Sequence, residues 1–375
     1  LLNSGTDAFI KYADGKTLLH HAVSSRFGNT RVAHKLLTAG VKVNTADKDG
    51  NTALHLATRS RTCIDTLLKH GANPRLTNLD QLTPLLYAIT YGTKDKEPDL
   101  DTLIKASDPR KTNCDEQTAL HIAAMNGLEK TVRLLLRARA ETTLVDTNKN
   151  TPLLLAVKHQ QWSVVPLLVL PPSINSWDED GVSALHHVAM SVPTAPSTWK
   201  DVAAAAAPFC ERGASRSMRD RSGATPLIQA VKTLPEEGVA VVEMLLLQKT
   251  DRGASWNCVS HEDHKKYDAL HYAVSLGKPI FVEALLKHGA AFSFIEWTSG
   301  DGRPDKQTMK LLAQYEWARR AGSLRRQSSD SDAGTSRFSA TFPTEDIRQM
   351  ISMGLDVNAL PKSPLGTSML WAVLR

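Results

Sequence analysis

Apolar residues recur along the chain in a short phrase with helical spacing, and a leucine-rich segment follows each phrase. The phrase reads KTLLHHAV at 16–23, NTALHLAT at 51–58 and QTALHIAA at 117–124. Within it, apolar side chains three and four positions apart fall on one side of a helix. The following segment ends in a pair of aliphatic residues, such as Leu67 and Leu68. The pattern predicts pairs of short α-helices.

The phrase returns ten times, with starts near residues 17, 52, 83, 118, 151, 183, 225, 268, 308 and 367. Successive starts lie 31 to 35 residues apart as far as the sixth, and 40 or more apart after it. A period of about 33 residues is typical of solenoids, in which each repeat packs only on its neighbours. We therefore predict an all-helical solenoid with insertions in its second half.

The expected helix ends carry the residue types that helix ends require. Each start is Thr, Ser or Asp, whose side-chain oxygen can accept from the exposed N–H groups of a first turn. Proline follows the cap at Pro84 and Pro152, where its missing N–H costs nothing. Gly71 and Gly289 end two second helices and predict left-handed backbone. Arg139 holds this position in the fourth repeat, where a non-glycine residue costs about 1 kcal/mol.

The capped phrase with its leucine and histidine, the LLxxGA helix ending and the aspartate-rich turns such as DKDG at 47–50 together resemble the ankyrin repeat. The resemblance covers essentially the whole chain. It implies an all-α ankyrin-repeat solenoid of stacked helix-turn-helix units whose turns project as finger loops beside a concave groove. Residues 1–375 are then a single array of about ten repeats. Neither end has a polar capping repeat, so we expect the array to be cut from a longer array or a multidomain protein.

One segment does not fit the repeat. Residues 322–343 are rich in serine, glycine and charge and contain little that could pack, so we predict a disordered insertion within the ninth repeat. In this segment Ser328 follows two arginines and Ser329 is followed by aspartates, patterns similar to kinase sites. A phosphate there would add a charge of roughly −2 beside the arginines. Ser328 and Ser329 are therefore candidate phosphorylation sites.

Composition and charge narrow the class of partner. The chain is 42% hydrophobic and 22% charged, which is typical of a folded protein. Its net charge of +6 is spread along the sequence, whereas nucleic-acid modules cluster their charge, so a nucleic-acid partner is not indicated. The four cysteines form no CxxC pair, which favours an intracellular compartment, cytoplasmic or nuclear. No apolar run is long enough to predict insertion into a membrane.

The histidines of the phrase are predicted to be scaffold residues. Leucine or isoleucine replaces histidine at this position in half of the repeats, and a catalytic or metal-binding residue could not be exchanged in this way. The resemblance implies that each histidine bonds toward its cap and the neighbouring repeat. HEDH at 261–264 spaces its histidines three apart, not four as in the HExxH zinc motif. GxSxG and phosphate-loop motifs are absent from the sequence. We therefore expect no enzyme, no metal, no cofactor and no small-molecule substrate.

The resemblance also implies where a partner binds. The groove is lined by finger residues before each cap and by residues seven and eight positions after it, and these vary from repeat to repeat. The predicted partner-binding residues are Lys48, Asp49, Arg59, Leu79, Tyr91, Asp115, Gln117, Met125, Asn126, Lys158 and His159. Leu79, Tyr91 and Met125 are the expected apolar anchors. The predicted function is a non-catalytic scaffold for protein partners; the alternative is a regulatory array that acts in cis on an enzyme or signalling domain outside this chain.

Overall fold

The computed structural model describes residues 10–290, with gaps at 26–27, 59, 93–99, 172, 194–197 and 248–257, together with Thr308 and Leu312. The chain divides into two compact units, which we call the N-terminal unit (Leu1–Arg221) and the C-terminal unit (Ser222–Arg375). The predicted insertion at 322–343 and the tenth repeat lie outside the described residues. The extent of the single array over 1–375 therefore stays a prediction.

The described part of the N-terminal unit consists of helix pairs, each made of a short first helix and a second helix. The pairs are α1 (Leu18–Ser24) with α2 (Thr30–Thr38), α3 (Ala53–Leu56) with α4 (Arg61–Lys69), α5 (Pro84–Tyr91) with α6 (Asp101–Ala106), α7 (Ala119–Asn126) with α8 (Glu129–Arg137), α9 (Pro152–Lys158) with α10 (Val165–Leu168), and α11 (Ala184–Met190) with α12 (Trp199–Glu211).

The C-terminal unit contains two further pairs among its described residues. They are α13 (Pro226–Thr233) with α14 (Val239–Leu246), and α15 (Ala269–Ser275) with α16 (Pro279–Lys287), and single 3-10 turns lie at Glu236–Gly238 and Cys258–Ser260. Where the chain is described, β-structure is limited to isolated bridges such as Ala46 with Thr52. The predicted all-α solenoid of stacked helix-turn-helix units is confirmed.

Like helices pack on like helices in both units. In the N-terminal unit α7 packs on α5 and α9, and α4 packs on α2 and α6; in the C-terminal unit α13 packs on α15 and α14 on α16. The contacts bury aliphatic side chains such as Ile122, Val132 and Leu135. Ala123 is also fully buried, and its small side chain lets neighbouring first helices approach closely. The core is therefore a continuous aliphatic layer within each unit.

The helix ends follow the sequence pattern. Thr83 and Thr151 accept a hydrogen bond from the backbone of the first turn, and proline occupies the first turn of both helices. Gly71 and Gly289 have φ values of 83° and 86°. Arg139 has φ 59°, so the predicted left-handed non-glycine residue is confirmed. Caps and stops are thus local features that set the length of each helix.

Candidate functional site

Histidines of the repeated phrase are built into the scaffold. His121 is 0% exposed. Its Nδ1 lies 3.1 Å from the backbone nitrogen of Thr118, which donates to it, and its Nε2 lies 3.1 Å from the carbonyl oxygen of Asn150 in the next repeat. Because a carbonyl only accepts, Nε2 carries the hydrogen and the ring is neutral. The ring therefore links its own cap to the neighbouring repeat.

His20 and His55 repeat this arrangement. Their Nε2 atoms lie 3.0 Å from the carbonyl oxygens of Asn51 and Leu82, respectively. Burial lowers the pKa of His20, His55 and His121, although the bond to the carbonyl opposes the shift. The predicted scaffold role of these histidines is confirmed, because their ring nitrogens are used in hydrogen bonds within the scaffold.

In six repeats the finger is organised by an aspartate or asparagine residue that stands five positions before the cap. We call these residues the finger column: Asp47, Asn78, Asn113, Asp146, Asp178 and Asp263. In each, Oδ1 accepts backbone N–H bonds from residues further along the same finger. Asp146 Oδ1, for example, lies 3.0 Å from the nitrogen of Asn148 and 2.7 Å from that of Asn150. This turn chemistry fixes the path of the finger without a long strand.

Neighbouring fingers are also joined through their backbones. The nitrogen of Lys48 donates to the oxygen of Asp14 at 3.0 Å, and that of Leu79 donates to the oxygen of Asp49 at 3.0 Å. The nitrogen of Thr147 donates to the oxygen of Asp115 at 3.1 Å. Exposed finger side chains are therefore presented from a backbone that is held on both sides.

We use "groove face" for the exposed residues of the fingers together with the C-terminal ends of the first helices. Of the predicted partner-binding residues, Leu79 is 75% exposed and Tyr91 is 56% exposed. Lys48, Asp49, Asp115, Lys158 and His159 are also exposed, while Gln117, Met125 and Asn126 are half-buried. Arg59, Ser328 and Ser329 lie outside the described residues.

Tyr91 does not stand alone. Its ring lies 4.7 Å from the ring of Tyr87, one turn earlier on α5, and Tyr87 in turn lies 5.9 Å from the ring of His55. Tyr87 was not singled out from the sequence. It lies four residues after the Thr83 cap, a position that every first helix has. An aromatic pair of this kind offers a large rigid apolar surface at little cost in side-chain entropy.

Lys158 is engaged within the chain. Its Nζ lies 2.8 Å from Asp178 Oδ2 and 2.6 Å from Asn150 Oδ1, and His187 Nε2 lies 2.8 Å from the same Asp178 oxygen. Burial alone would raise the pKa of Asp178, but the bonds from Lys158 and His187 outweigh it and lower the pKa to about 2. Sequence reasoning missed Asp178 and His187 as members of this network.

The C-terminal unit contains a related arrangement. The hydroxyl of Tyr272 donates to Asp263 Oδ2 at 2.6 Å, and Lys232 Nζ lies 4.9 Å from the centre of the Tyr272 ring. Burial and the bond to Asp263 raise the pKa of Tyr272 to about 12. A lysine and a polar side chain of a first helix therefore surround this finger carboxylate as well.

Neither a metal site nor a membrane-spanning helix is found among the residues that the structure describes. No group of three or more His, Cys, Asp or Glu side chains there could hold a metal ion. Over the same stretch of chain, no helix has both the length and the apolarity needed to cross a membrane.

The chain is similar to a family of repeat proteins and to several known proteins. The family described as ankyrin repeats (3 copies) matches residues 1–78, 19–96, 59–143 and 93–180. Inversin from Canis lupus familiaris is 27% identical over 210 residues, which cover 55% of this chain and 18% of inversin. The B-cell lymphoma 3 protein homolog of Mus musculus is 30% identical over 175 residues, which cover 46% of this chain and 32% of that protein. The chain thus spans less than one third of either relative.

A human ion channel and a solved structure are similar as well. Transient receptor potential cation channel subfamily A member 1 from Homo sapiens is 28% identical over 232 residues, covering 50% of this chain and 20% of the channel. The crystal structure of the ankyrin repeat domain of Bcl-3 matches with a TM-score of 0.50 and 26% identity. That match covers 62% of this chain and 99% of the Bcl-3 chain.

Proposed function

We propose that this chain, which belongs to the ankyrin repeat family, is a non-catalytic scaffold that binds a protein partner through the groove face of its N-terminal unit. Ankyrin repeats in general mediate interactions between proteins. The observation that carries the proposal is the exposure of Leu79 and Tyr91 on a backbone that hydrogen bonds hold in place. A rigid surface of this kind spares much of the entropy that flexible loops lose on binding.

The groove face also carries charged residues. Lys48, Asp49 and Asp115 are exposed on the fingers, so the groove face contains charged residues as well as apolar ones. Interfaces are commonly built in this way, with a few aromatic anchors and a solvated rim. This distribution supports a protein partner and gives no support to a small-molecule substrate or to nucleic acid.

The test is to remove the predicted anchor side chains while the helical scaffold stays intact. The double variant Tyr91→Ala with Met125→Ala is expected to reduce partner capture at least about tenfold, because aromatic anchors typically contribute about 2 kcal/mol or more. Val32→Ala is the matched control, because Val32 is 37% exposed and lies on a second helix, away from the fingers. Capture from the source cells is measured by quantitative mass spectrometry, and helicity by circular dichroism. Equal capture by both variants with unchanged helicity would refute the proposal.

The alternative function, regulation in cis, is favoured by one observation. The matched segments of the relatives span 18% of inversin and 20% of the channel, so arrays of this kind occur within much longer proteins. A tethered domain would then occupy the groove face in place of a separate partner. Limited proteolysis of the natural full-length protein tests this alternative: cleavage next to the array should release activity in a linked domain, and unchanged activity would count against it.

The proposed setting is intracellular, in the cytoplasm or the nucleus. Cys63 and Cys114 take part in no disulfide bond, as expected of a protein that works under reducing conditions. The proposed role needs no cofactor.

A further inference from the structure

The finger column has one member whose second side-chain atom is unpartnered. Oδ1 of every member accepts from its own finger, so the second atom is left to face other groups. Asn78 Nδ2 donates to Asn51 Oδ1 at 3.0 Å, Asn113 Nδ2 donates to Gln117 Oε1 at 3.3 Å, and Asp146 Oδ2 accepts from Asn150 Nδ2 at 3.1 Å. Oδ2 of Asp47 is buried and has no hydrogen-bond partner.

At two members a pair of first helices supplies the partners. Asp178 Oδ2 accepts hydrogen bonds from His187 and Lys158. His187 lies four positions after the cap of the same repeat, and Lys158 lies seven positions after the cap of the preceding repeat. Asp263 Oδ2 receives Tyr272 from the first of these positions. Lys232 stands at the second, over the Tyr272 ring. The same two helix positions thus place a polar group and a lysine beside a finger carboxylate in both units.

At Asp47 the two positions hold other residues. Leu56 is four positions after its cap, the position of His187 and Tyr272 in their repeats. Ser24 is seven positions after its cap, the position of Lys158 and Lys232. Leucine cannot donate a hydrogen bond, and serine is too short to replace the lysine. Asp47 is only 8% exposed, and its Oδ2 atom is buried. Buried polar atoms in native proteins are nearly always paired, which makes this oxygen a notable exception.

Nearby groups of the chain do not neutralise Asp47. Lys16 is close enough for the Asp47 charge to raise its pKa, but its Nζ is bound to Asp14 at 3.2 Å. His20 and His55 are also within range of that charge, and each uses its Nε2 hydrogen on a backbone carbonyl. Asp47 Oδ2 therefore stays without a hydrogen-bond donor from these groups.

We propose that Asp47 receives a lysine side chain of the protein partner, whose ammonium takes the place that Lys158 fills beside Asp178. This inference rests on the proposed scaffold function and adds the chemistry of one partner residue. The alkyl stem of the lysine lies along Leu56 and Ser24, and its ammonium donates to Asp47 Oδ2. Charge complementarity selects the lysine, since a single carboxylate matches a single ammonium.

The first experiment fills the site from within the chain. Ser24→Lys places an ammonium at the position of Lys158, and Asp47→Asn removes the charge at little structural cost, because Asn78 and Asn113 occupy the same column. We expect Ser24→Lys to raise the Tm by about 2–4 °C when Asp47 is present and by nothing when Asp47→Asn is present. Ser24→Gln is the control for length without charge. The same Tm change with and without Asp47→Asn would overturn the proposal.

The second experiment uses peptides selected from a random display library on the whole chain. We expect the selected peptides to contain a lysine whose replacement by norleucine weakens binding about tenfold, as measured by fluorescence polarisation. Asp47→Asn and Ser24→Lys should each weaken binding by the same factor and should not add to the effect of norleucine. Selected peptides that bind the wild-type chain and Asp47→Asn equally would overturn the proposal.

The two proposals fail in different ways. If Tyr91→Ala with Met125→Ala weakens peptide binding and Asp47→Asn does not, the groove face stands and the lysine site is wrong. If only Asp47→Asn weakens binding, the lysine site stands and the predicted anchors are wrong. A library that yields no binder contradicts the scaffold function and, with it, the partner lysine, whereas the Tm measurements test only whether an ammonium fits beside Asp47.

Discussion

The first helices of the fourth and fifth repeats begin with the same backbone geometry but are held by different means. In α7 the cap Thr118 is followed by Ala119 and, two residues later, by His121, whose ring links the cap to the next repeat. In α9 the cap Thr151 is followed by Pro152 and then by a buried leucine at the histidine position. One start is held by a polar link between repeats, and the other by a stiff residue and apolar packing.

The difference teaches that a single scaffold position can be satisfied in two ways with distinct sensitivities. A histidine link requires a neutral ring, so it weakens in acid. Proline at the first helical position acts locally and is independent of pH, because its fixed φ reduces the freedom of the unfolded chain. The two kinds alternate from the second repeat to the sixth, which places a pH-sensitive link next to an insensitive one.

Truncation of Leu154 or of His121 should have the largest effect on the free energy of unfolding. Leu154→Ala is expected to cost about 2–5 kcal/mol of unfolding free energy, because it leaves a cavity in the core. His121→Ala is expected to cost about 3 kcal/mol, because it also leaves the Thr118 N–H without its acceptor. Urea unfolding followed by circular dichroism measures both values. A cost below about 1 kcal/mol for His121→Ala would mean that the ring does not link the repeats.

Low pH should destabilise the helix starts that are held by histidine, but not those that are held by proline. The pKa values of His20, His55, His121 and His187 are lowered, with burial as the main cause, so the unfolded chain binds more protons below about pH 6.5. Stability is therefore fully present above that pH and is lost as the pH falls toward the folded-state values. Each histidine contributes at most about 1.4 kcal/mol per pH unit. Asp178, with its pKa of about 2, acts only below this window.

Urea titrations from pH 7.5 to pH 5 measure this slope. His121→Leu is the matched variant, because leucine occupies the histidine position in α5 and α9, and it should remove one histidine's share of the slope. A slope that stays the same in His121→Leu would show that the loss in acid comes from other groups.

Conversion of one kind of start into the other should have a smaller effect. Ala119→Pro together with His121→Leu rewrites α7 in the pattern of α9. The carbonyl of Asn150 keeps its bond from the Asp146 nitrogen, at 3.0 Å, after the ring is gone. We expect the double variant to cost less than about 1.5 kcal/mol at pH 7 and to gain on the wild-type chain as the pH falls. A loss as large as that of His121→Ala would show that the two starts are not interchangeable.

The smallest predicted effect lies at the other end of the same repeat. Arg139 has φ 59°, and Gly40 and Gly71 hold the corresponding position elsewhere with φ 88° and 83°. Arg139→Gly is expected to raise stability by about 0.5–1 kcal/mol, because glycine adopts this conformation without strain. The gain should be the same at pH 7.5 and pH 5, measured by urea unfolding. A gain that varied with pH would mean that the helix exit and the histidine link are coupled.

Local features were predictable because they depend on a few neighbouring residues. The caps at Thr118 and Thr151, the stop at Gly71 and the left-handed Arg139 follow from short phrases, and repetition of those phrases predicted the stacking. The scaffold role of His121 was predictable from the exchange of histidine for leucine within one chain. The position of the groove face came from the family resemblance, and the partner-binding role of Tyr91 and Met125 stays a prediction.

The networks around the finger column were not predictable in this way. Lys158, Asp178 and His187 come from a first helix, a finger and the next first helix, and only the stacking distance brings their charged atoms within hydrogen-bond reach. Sequence reasoning treated Lys158 as a residue for a partner, whereas the structure also engages it within the chain. Tyr87 was not singled out from the sequence, and its ring contacts with His55 and Tyr91 come from the tertiary structure.

The sequence by itself determined the helix pairs, their caps and stops, and the repeat that makes them stack, because these depend on backbone geometry and on the burial of a periodic apolar face. Only the tertiary structure decided which polar atoms are paired, because a hydrogen bond depends on separations of a few tenths of an ångström between side chains from different repeats. Asp47 and Asp178 occupy the same position in the repeat. The neighbouring repeats give Oδ2 of Asp178 its hydrogen-bond donors and leave Oδ2 of Asp47 without one.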